Sequence, residues 1–156
     1  MIDISTINIK QATSQDAAKI LPLIAQFFGE DGFDIALANL PMAIASMLKD
    51  SSSAIFVACH ELEAIGVATV TTTSQGLEFN HYAELEDLYV IPEARFAGIG
   101  GLLIDRVKQW CRQKGCSVLS IVVTEDAQAK RNLKTYYQKQ GFQPSKRSLL
   151  FYHFDK

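Results

Sequence analysis

Cysteine is scarce in this sequence of 156 residues, which contains only Cys59, Cys111 and Cys116. An odd number of cysteines without a regular spacing does not make the disulfide framework of a small secreted domain. The sequence also gives little reason to assign these side chains to metal binding or redox chemistry. We therefore expect all three to be small buried hydrophobic residues, and we expect no metal site.

Long apolar runs and an excess of positive charge are missing as well. No apolar stretch approaches the roughly 20 residues that a membrane-spanning helix needs, so no membrane association is expected. The start, residues 1–5, has neither the basic head nor the apolar core of a signal peptide, and this predicts a cytoplasmic protein. A net charge of −2 argues against general nucleic-acid binding. With 48% hydrophobic residues, the chain can bury one core, and we predict a single domain over residues 1–156.

The patterning of apolar residues predicts an alternating order of strands and helices. The first helix is expected to be capped within residues 13–16, to be kinked or restarted by Pro22, and to be broken at Gly29 and Gly32. A second helix should begin near Asn39, a third should end at Gly115, and the last should be capped by Asp126 and end at Gly141. The predicted strands span residues 7–10, 53–60, 64–73, 79–90, 118–124 and 148–154.

The most informative stretch joins a strand, a glycine-rich turn and the start of a helix, over residues 84–104. Glycines let a backbone approach a ligand closely, and the first N–H groups of a helix form an anion site. The dinucleotide-binding fingerprint is excluded, because its third glycine would stand where this chain has Leu103. The triphosphatase loop is excluded too, since no Gly-Lys-Ser/Thr follows. What remains is Arg95-Phe96-Ala97-Gly98-Ile99-Gly100.

This Arg-x-x-Gly-x-Gly run resembles the coenzyme A signature of the GNAT superfamily of N-acetyltransferases. A second motif, residues 137–142 with the sequence Tyr-Gln-Lys-Gln-Gly-Phe, resembles the Tyr-x-x-x-Gly-Phe ending that the family places after its last long helix. The resemblance covers Glu84 to Phe142. It implies a GNAT acyl-CoA N-acyltransferase fold of mixed α/β (α+β) class, with a mixed central β-sheet flanked by about four helices. It also implies transfer of an acetyl group from acetyl-CoA to a primary amine.

The resemblance further implies which residues bind acetyl-CoA. Backbone N–H groups after Arg95 should cradle the pyrophosphate, with Arg95 adding positive charge or closing the turn. Val90 and its neighbours should pair with the pantetheine arm as an added strand does. The predicted cofactor-binding residues are Leu88, Tyr89, Val90, Arg95, Phe96, Ala97, Gly98, Ile99, Gly100 and Gly101.

Acetyl transfer to an amine needs a general base, because an amine with a pKa of about 10.4 is unprotonated in only on the order of one molecule per thousand at neutral pH. Glu86 lies four residues before Val90, where some family members that acetylate polyamines and similar amines have their base. We predict Glu86 as the base, with Glu84 and Asp87 as alternatives. Strand alternation would place Glu84 and Glu86 on one side and Asp87 on the other.

The departing thiolate needs a proton. In the resembled family the tyrosine of the helix ending donates it, and here that residue is Tyr137, while Tyr136 is expected to be the core aromatic. One departure from the family is Lys130, which stands where an asparagine is common, and the nearest asparagine is Asn132.

The sequence says least about the amine that accepts the acetyl group. Acidic residues fall between the first two helices, where the family often builds its acceptor site, and they favour a small cationic amine. The candidate substrate residues are Glu30, Asp31, Asp34 and Glu84. Aminoglycosides, polyamines, amino acids, and the N-terminus or lysines of a protein remain possible acceptors. An alternative function is a non-catalytic acyl-CoA sensor. The exposed edge of the final strand makes a homodimer possible.

Overall fold

The computed structural model describes residues 2–32 and 37–155, with the backbone alone described at 74–76. The chain divides into two compact units, Met1–Val122 and Val123–Lys156. The first unit contains the sheet and three long helices, and the second contains two short helices. Whether residues 1–156 act as a single domain is not decided by this division and stays a prediction.

A mixed five-stranded sheet forms the centre of the first unit, with its described strands side by side in chain order. The first four strands pair antiparallel, and the fifth pairs parallel to the fourth. A parallel pair requires a long crossover connection, and the helix between these two strands supplies it. The strands are β1 (Ile7–Gln11), β2 (Ser53–His60), β3 (Glu63–Gly76), β4 (Asn80–Val90) and β5 (Val118–Ile121).

Helices cover both faces of this sheet. They are α1 (Ala17–Asp31), α2 (Leu40–Lys49) and α3 (Ile99–Gln113). The core under α1 and α2 includes Val57 and Val67, both almost fully buried. On the opposite face, α3 approaches Gly66 so closely that an added Cβ would lie 3.2 Å from Leu103 Cδ1. Because both faces are covered, all six inner residues of β2 are buried, and each large apolar one contributes roughly 1.5–3 kcal/mol.

The start of α1 follows from its sequence. Thr13 and Asp16 form the reciprocal hydrogen bonds of a capping box around a 3₁₀ turn at Ser14–Asp16, as the sequence predicts. Two details of α1 differ from expectation. The helix runs unbroken through Pro22, so it is not restarted there, and the packed apolar face of the helix offsets the backbone hydrogen bond that proline removes. It ends at Gly32, whose φ of +69° gives the left-handed cap, and not at Gly29.

The second unit contains two helices where the sequence predicts one. They are α4 (Glu125–Arg131) and α5 (Leu133–Lys139). Thr124, not Asp126, caps the first of them, because its Oγ1 accepts a hydrogen bond of 3.2 Å from the Ala127 N–H. Asn132 adopts a φ of +49° and separates the two helices. Asparagine tolerates this left-handed conformation better than most residues, so it can end one helix and begin the next.

Two strand predictions also need correction. β5 ends at Ile121, three residues earlier than expected, and its four residues are partly buried. No strand is present at 148–154 in the part of the chain that the structure describes. A strand forms only when its backbone groups find a partner, and local alternation carries no information about that partner. Among the helices described, none is long and apolar enough to cross a membrane.

Candidate active site

A β-bulge in β4 shapes the acidic part of the site. Asp87 pairs with Thr69 and Leu85 pairs with Val70, so Glu86 has no partner of its own on β3. An extra residue of this kind interrupts the ladder and changes the direction of the side chains around it. The bulge therefore places Glu86 where simple alternation along β4 no longer holds.

Because of the bulge, the side chains of Glu84, Glu86 and Asp87 lie on one face of the sheet. Thr69 Oγ1 donates to Asp87 Oδ2 over 2.5 Å, while Thr71 pairs with Glu84 and hydrogen-bonds to Glu86. The two threonines are two residues apart on β3, so they share a face. That is the face of Val67, which lies in the core under α1 and α2. The prediction that Asp87 lies opposite Glu84 and Glu86 is wrong, because the bulge breaks the alternation.

Burial makes two of these acids, Glu86 and Asp87, stronger bases than exposed carboxylates. Much of the Glu86 side chain is exposed, but partial burial of its carboxyl group raises its pKa. The Thr71 hydrogen bond opposes this shift, and the charges of Asp87 and Glu84 add to it. Burial also raises the pKa of Asp87, and the Thr69 hydrogen bond opposes that shift. A carboxylate with a raised pKa is a stronger base, which is what removal of an amine proton requires.

The glycine loop has the geometry of an anion cradle. Gly98 has a φ of +88° and directly precedes α3, and an added Cβ there would lie 2.9 Å from Ile4 Cδ1. The first backbone bond of the helix runs from Leu102 N to Gly98 O over 3.2 Å. The N–H groups of residues 99–101 precede that bond, so they have no acceptor in the preceding turn of the helix. This arrangement fits a pyrophosphate group.

Phe96 lies at the start of this loop and is unusual. Its φ is +64°, a region that non-glycine residues seldom adopt, and its side chain is fully exposed. Ala97, which follows it, is partly buried. Neither side chain carries a charge, so these two residues can contribute to phosphate binding only through their backbone.

Arg95 closes the turn that leads into the loop. Its Nε donates to the Val90 carbonyl over 2.8 Å, and its Nη2 lies 2.7 Å from Glu30 Oε2. The hydroxyl of Tyr89 donates to the other oxygen, Glu30 Oε1, over 2.7 Å, and the guanidinium lies 5.4 Å from the Tyr89 ring centre. Of the two roles predicted for Arg95, the structure supports closing the turn. Tyr89 is almost fully buried, while Leu88 and Val90 are partly buried.

Three further residues are predicted to belong to the site, namely Asp31, Asp34 and Tyr137. Asp31 is partly buried at the end of α1, and Asp34 lies outside the described residues. In the second unit, Tyr137 is buried, and its ring packs edge-on against Tyr136 and Phe142 at centroid distances of 5.2 and 5.6 Å. The sequence assigned the core position to Tyr136 instead, which is only partly buried.

Sequence reasoning missed the partners of these functional candidates. Thr69 and Thr71 contact the acids of β4, and Glu30 joins Tyr89 to Arg95. The threonines lie in a run of β-branched residues, and this pattern predicts only a strand. Glu30 and Arg95 are 65 residues apart in sequence, so no local pattern links them.

Comparison with known proteins identifies the family. The model of the Acetyltransferase (GNAT) family matches residues 18–142. The chain is 31% identical over 148 residues to the aminoglycoside N(6')-acetyltransferase type 1 of Stenotrophomonas maltophilia, covering 92% of this chain and 90% of that protein. It is 29% identical over 138 residues to the uncharacterized N-acetyltransferase YhfO of Bacillus subtilis, covering 87% and 89%.

The fold is shared with solved structures. The aminoglycoside N-acetyltransferase AAC(6')-Iy in complex with CoA superposes with a TM-score of 0.82 at 19% identity, over 94% of each chain. The family uses acetyl-CoA. The chain belongs to the GNAT acetyltransferase family and is an acetyl-CoA-dependent N-acetyltransferase.

Proposed function

We propose that the protein transfers the acetyl group of acetyl-CoA to a primary amine of a small cationic molecule, with Glu86 as general base. The observation that carries this proposal is the cluster of Glu84, Glu86 and Asp87 on one face of the sheet, where burial and mutual repulsion raise the pKa of Glu86. Glu86 is four residues before Val90, or about 13 Å along an extended strand. The base therefore lies on the strand that leads directly into the cosubstrate loop.

The reaction follows from these groups. The amine nitrogen attacks the thioester carbonyl carbon, a C–N bond forms and the C–S bond breaks. The amine proton passes to Glu86, directly or through one water, and coenzyme A leaves as a thiolate. Tyr137, the candidate that the family resemblance supplies, protonates this thiolate. The N–H groups at the start of α3 hold the pyrophosphate of acetyl-CoA.

The acceptor is proposed to be a polycationic amine of the aminoglycoside class. Its support is the acidic face of β4 together with the name of the relative from Stenotrophomonas maltophilia, an aminoglycoside acetyltransferase. A cluster of carboxylates attracts a cationic ligand and raises its local concentration. Polyamines share this chemistry and form the natural comparison set, whereas a protein N-terminus or lysine does not require several charges.

We also propose that two copies associate through the segment 148–154. Five of its large apolar side chains are exposed, namely Leu149, Leu150, Phe151, Tyr152 and Phe154. An aromatic side chain can bury about 150–250 Å², so this segment can approach the roughly 800 Å² per partner of a standard interface. An exposed apolar segment of this kind can pack against its own copy across a two-fold axis.

The function is tested by comparing Glu86→Gln with Glu84→Gln and Asp87→Asn. Coenzyme A release would be followed with an aminoglycoside panel and with spermidine. Loss of the base should lower kcat/KM on the order of 10²-fold or more in Glu86→Gln alone. A larger loss in either of the other variants would move the base to that residue.

Binding is measured separately by calorimetry with acetyl-CoA, where Gly100→Glu should abolish the heat of binding by placing a carboxylate in the cradle. Wild-type affinity in Gly100→Glu would contradict the assignment of the loop. Tight binding without turnover of any amine would instead support the sensor alternative.

A further inference from the structure

Glu30 links three parts of the first unit. It lies in the last turn of α1, and its two carboxylate oxygens are divided between Tyr89 of β4 and Arg95 of the turn that follows β4. Both distances are 2.7 Å, which lies in the range typical of hydrogen bonds that involve a charged partner. With 27% and 28% of their side chains exposed, Glu30 and Arg95 are shielded from much of the solvent screening that weakens surface pairs.

The position of Glu30 in its helix is locally unfavourable. A carboxylate in the last turn of a helix meets the negative end of the helix dipole. A basic side chain is the usual choice there, yet the last turn of α1 contains none. The contacts to Arg95 and Tyr89 offset this penalty. These two contacts, and not the preference of the helix end, account for a glutamate at this position.

Arg95 transmits the restraint to the glycine loop. Its Nε bonds to the carbonyl at the end of β4 while its Nη2 reaches Glu30, so one planar guanidinium fixes both the strand end and α1. The next residue, Phe96, has a positive φ, and so does Gly98. A left-handed backbone at a phenylalanine persists only where its surroundings determine it. The restraint at Arg95 lies directly before these two residues.

Tyr89 provides the third contact. Burial raises the pKa of Tyr89 to about 12, and the hydrogen bond and charge of Glu30 contribute to the shift. The phenol therefore remains protonated at any working pH and keeps donating to Glu30. Its ring also packs 5.6 Å from Phe27 on α1, which fixes the hydroxyl against the helix.

We propose that Glu30 is a positioning residue for acetyl-CoA, holding Arg95 and through it the conformation of the loop at residues 95–101. The inference rests on the proposed function, because it requires that this loop bind the cosubstrate. It differs from the sequence prediction, in which Glu30 would bind the acceptor amine. In this role Glu30 touches neither substrate, and its loss should weaken acetyl-CoA binding without slowing the chemical step.

The experiment compares steady-state kinetics of Glu30→Gln, Arg95→Ala and the double variant. Each single variant should raise KM for acetyl-CoA about tenfold while kcat and KM for the amine change less than twofold. The double variant should be no worse than the poorer single variant, because both substitutions break one linkage. Glu93→Gln is the matched control, since it removes an exposed carboxylate from the same turn and should leave KM unchanged.

The alternatives give different results. A folded Glu30→Gln with an unchanged KM for acetyl-CoA would overturn the inference, and so would an increase confined to the KM for the amine. Additive effects in the double variant would show that Arg95 acts on the cosubstrate without Glu30, which also overturns it. If a thermal-unfolding measurement shows that Glu30→Gln is not folded, Tyr89→Phe is used to test the positioning role instead. This variant removes a single hydroxyl and should raise KM for acetyl-CoA two- to fivefold, and an unchanged KM would reject the linkage.

Failure of the proposed function would give different results from failure of the positioning role. In that case wild-type protein would bind no acetyl-CoA, or Gly100→Glu would bind it as well as wild type. If the function holds and only the positioning role fails, Gly100→Glu abolishes binding while Glu30→Gln has no effect.

Discussion

At the scale of single residues, Thr71 moderates the rise in the pKa of Glu86. Its hydrogen bond stabilises the carboxylate and lowers the pKa of Glu86 against the larger effect of burial. In Thr71→Val this bond is lost, so the pKa should rise further. The charged, proton-accepting form would then appear only at higher pH, and the acidic limb of the kcat/KM profile should shift upward.

The profile is recorded between pH 5 and pH 9 with saturating acetyl-CoA. Ser53→Ala serves as control, because Ser53 Oγ lies 3.4 Å from Thr71 Oγ1 but belongs to β2, which pairs with the opposite edge of β3 from the acids of β4. A limb that stays in place in Thr71→Val, or that moves to lower pH, would contradict the assignment of Glu86 as the titrating base.

At the scale of elements, Asp16 determines the start of α1. One of its oxygens lies 2.6 Å from Lys10 Nζ, and the other accepts the Thr13 N–H over 2.8 Å. Asp16→Ala removes both bonds from a buried position and should destabilise the protein by about 1–2 kcal/mol. Asp16→Asn, which keeps an acceptor for Thr13, should lose less. Urea unfolding at pH 7 measures both differences.

The same group makes part of the stability depend on pH. The Lys10 hydrogen bond and the Thr13 backbone N–H lower the pKa of Asp16 below its unfolded value. Its contribution is therefore complete above the unfolded pKa near 4 and is lost as the pH falls through the lower, folded pKa. The gap between wild type and Asp16→Ala should narrow in acid. A gap that stays constant down to pH 2 would mean that the charge has no part in it.

At the scale of the whole molecule, the proposed association through residues 148–154 is tested by sedimentation. Wild type should sediment as a dimer at micromolar concentration, and the double variant Leu150→Lys/Tyr152→Lys should sediment as a monomer, since burial of two ammonium groups in an apolar interface is unfavourable. Leu77→Lys is the control, because Leu77 is fully exposed but lies outside the segment. A wild-type monomer would reject the interface.

Local pattern predicts much of the fold. The sequence predicts β2 with its observed bounds and β1 to within one residue, and α2 begins at Leu40 with Asn39 as its N-cap and Pro41 in its first turn, as expected for a start near Asn39. The Arg-x-x-Gly-x-Gly spacing identifies the loop before α3, because the constraint on Gly98 is local to the backbone. The family assignment also rests on spacing along the chain, and the match over residues 18–142 confirms it.

The chemistry of the site depends on contacts that no local pattern encodes. The bulge at Glu86 arises from how β4 pairs with β3, and it alone brings Asp87 to the same face as Glu84. The link from Glu30 to Arg95 joins residues far apart in sequence. The sequence by itself determined most of the elements of the first unit, the glycine loop and the family, since these depend on residues near one another in the chain. Only the tertiary structure decided which carboxylates are paired and which are buried, because pairing and burial are properties of chain segments brought together by folding.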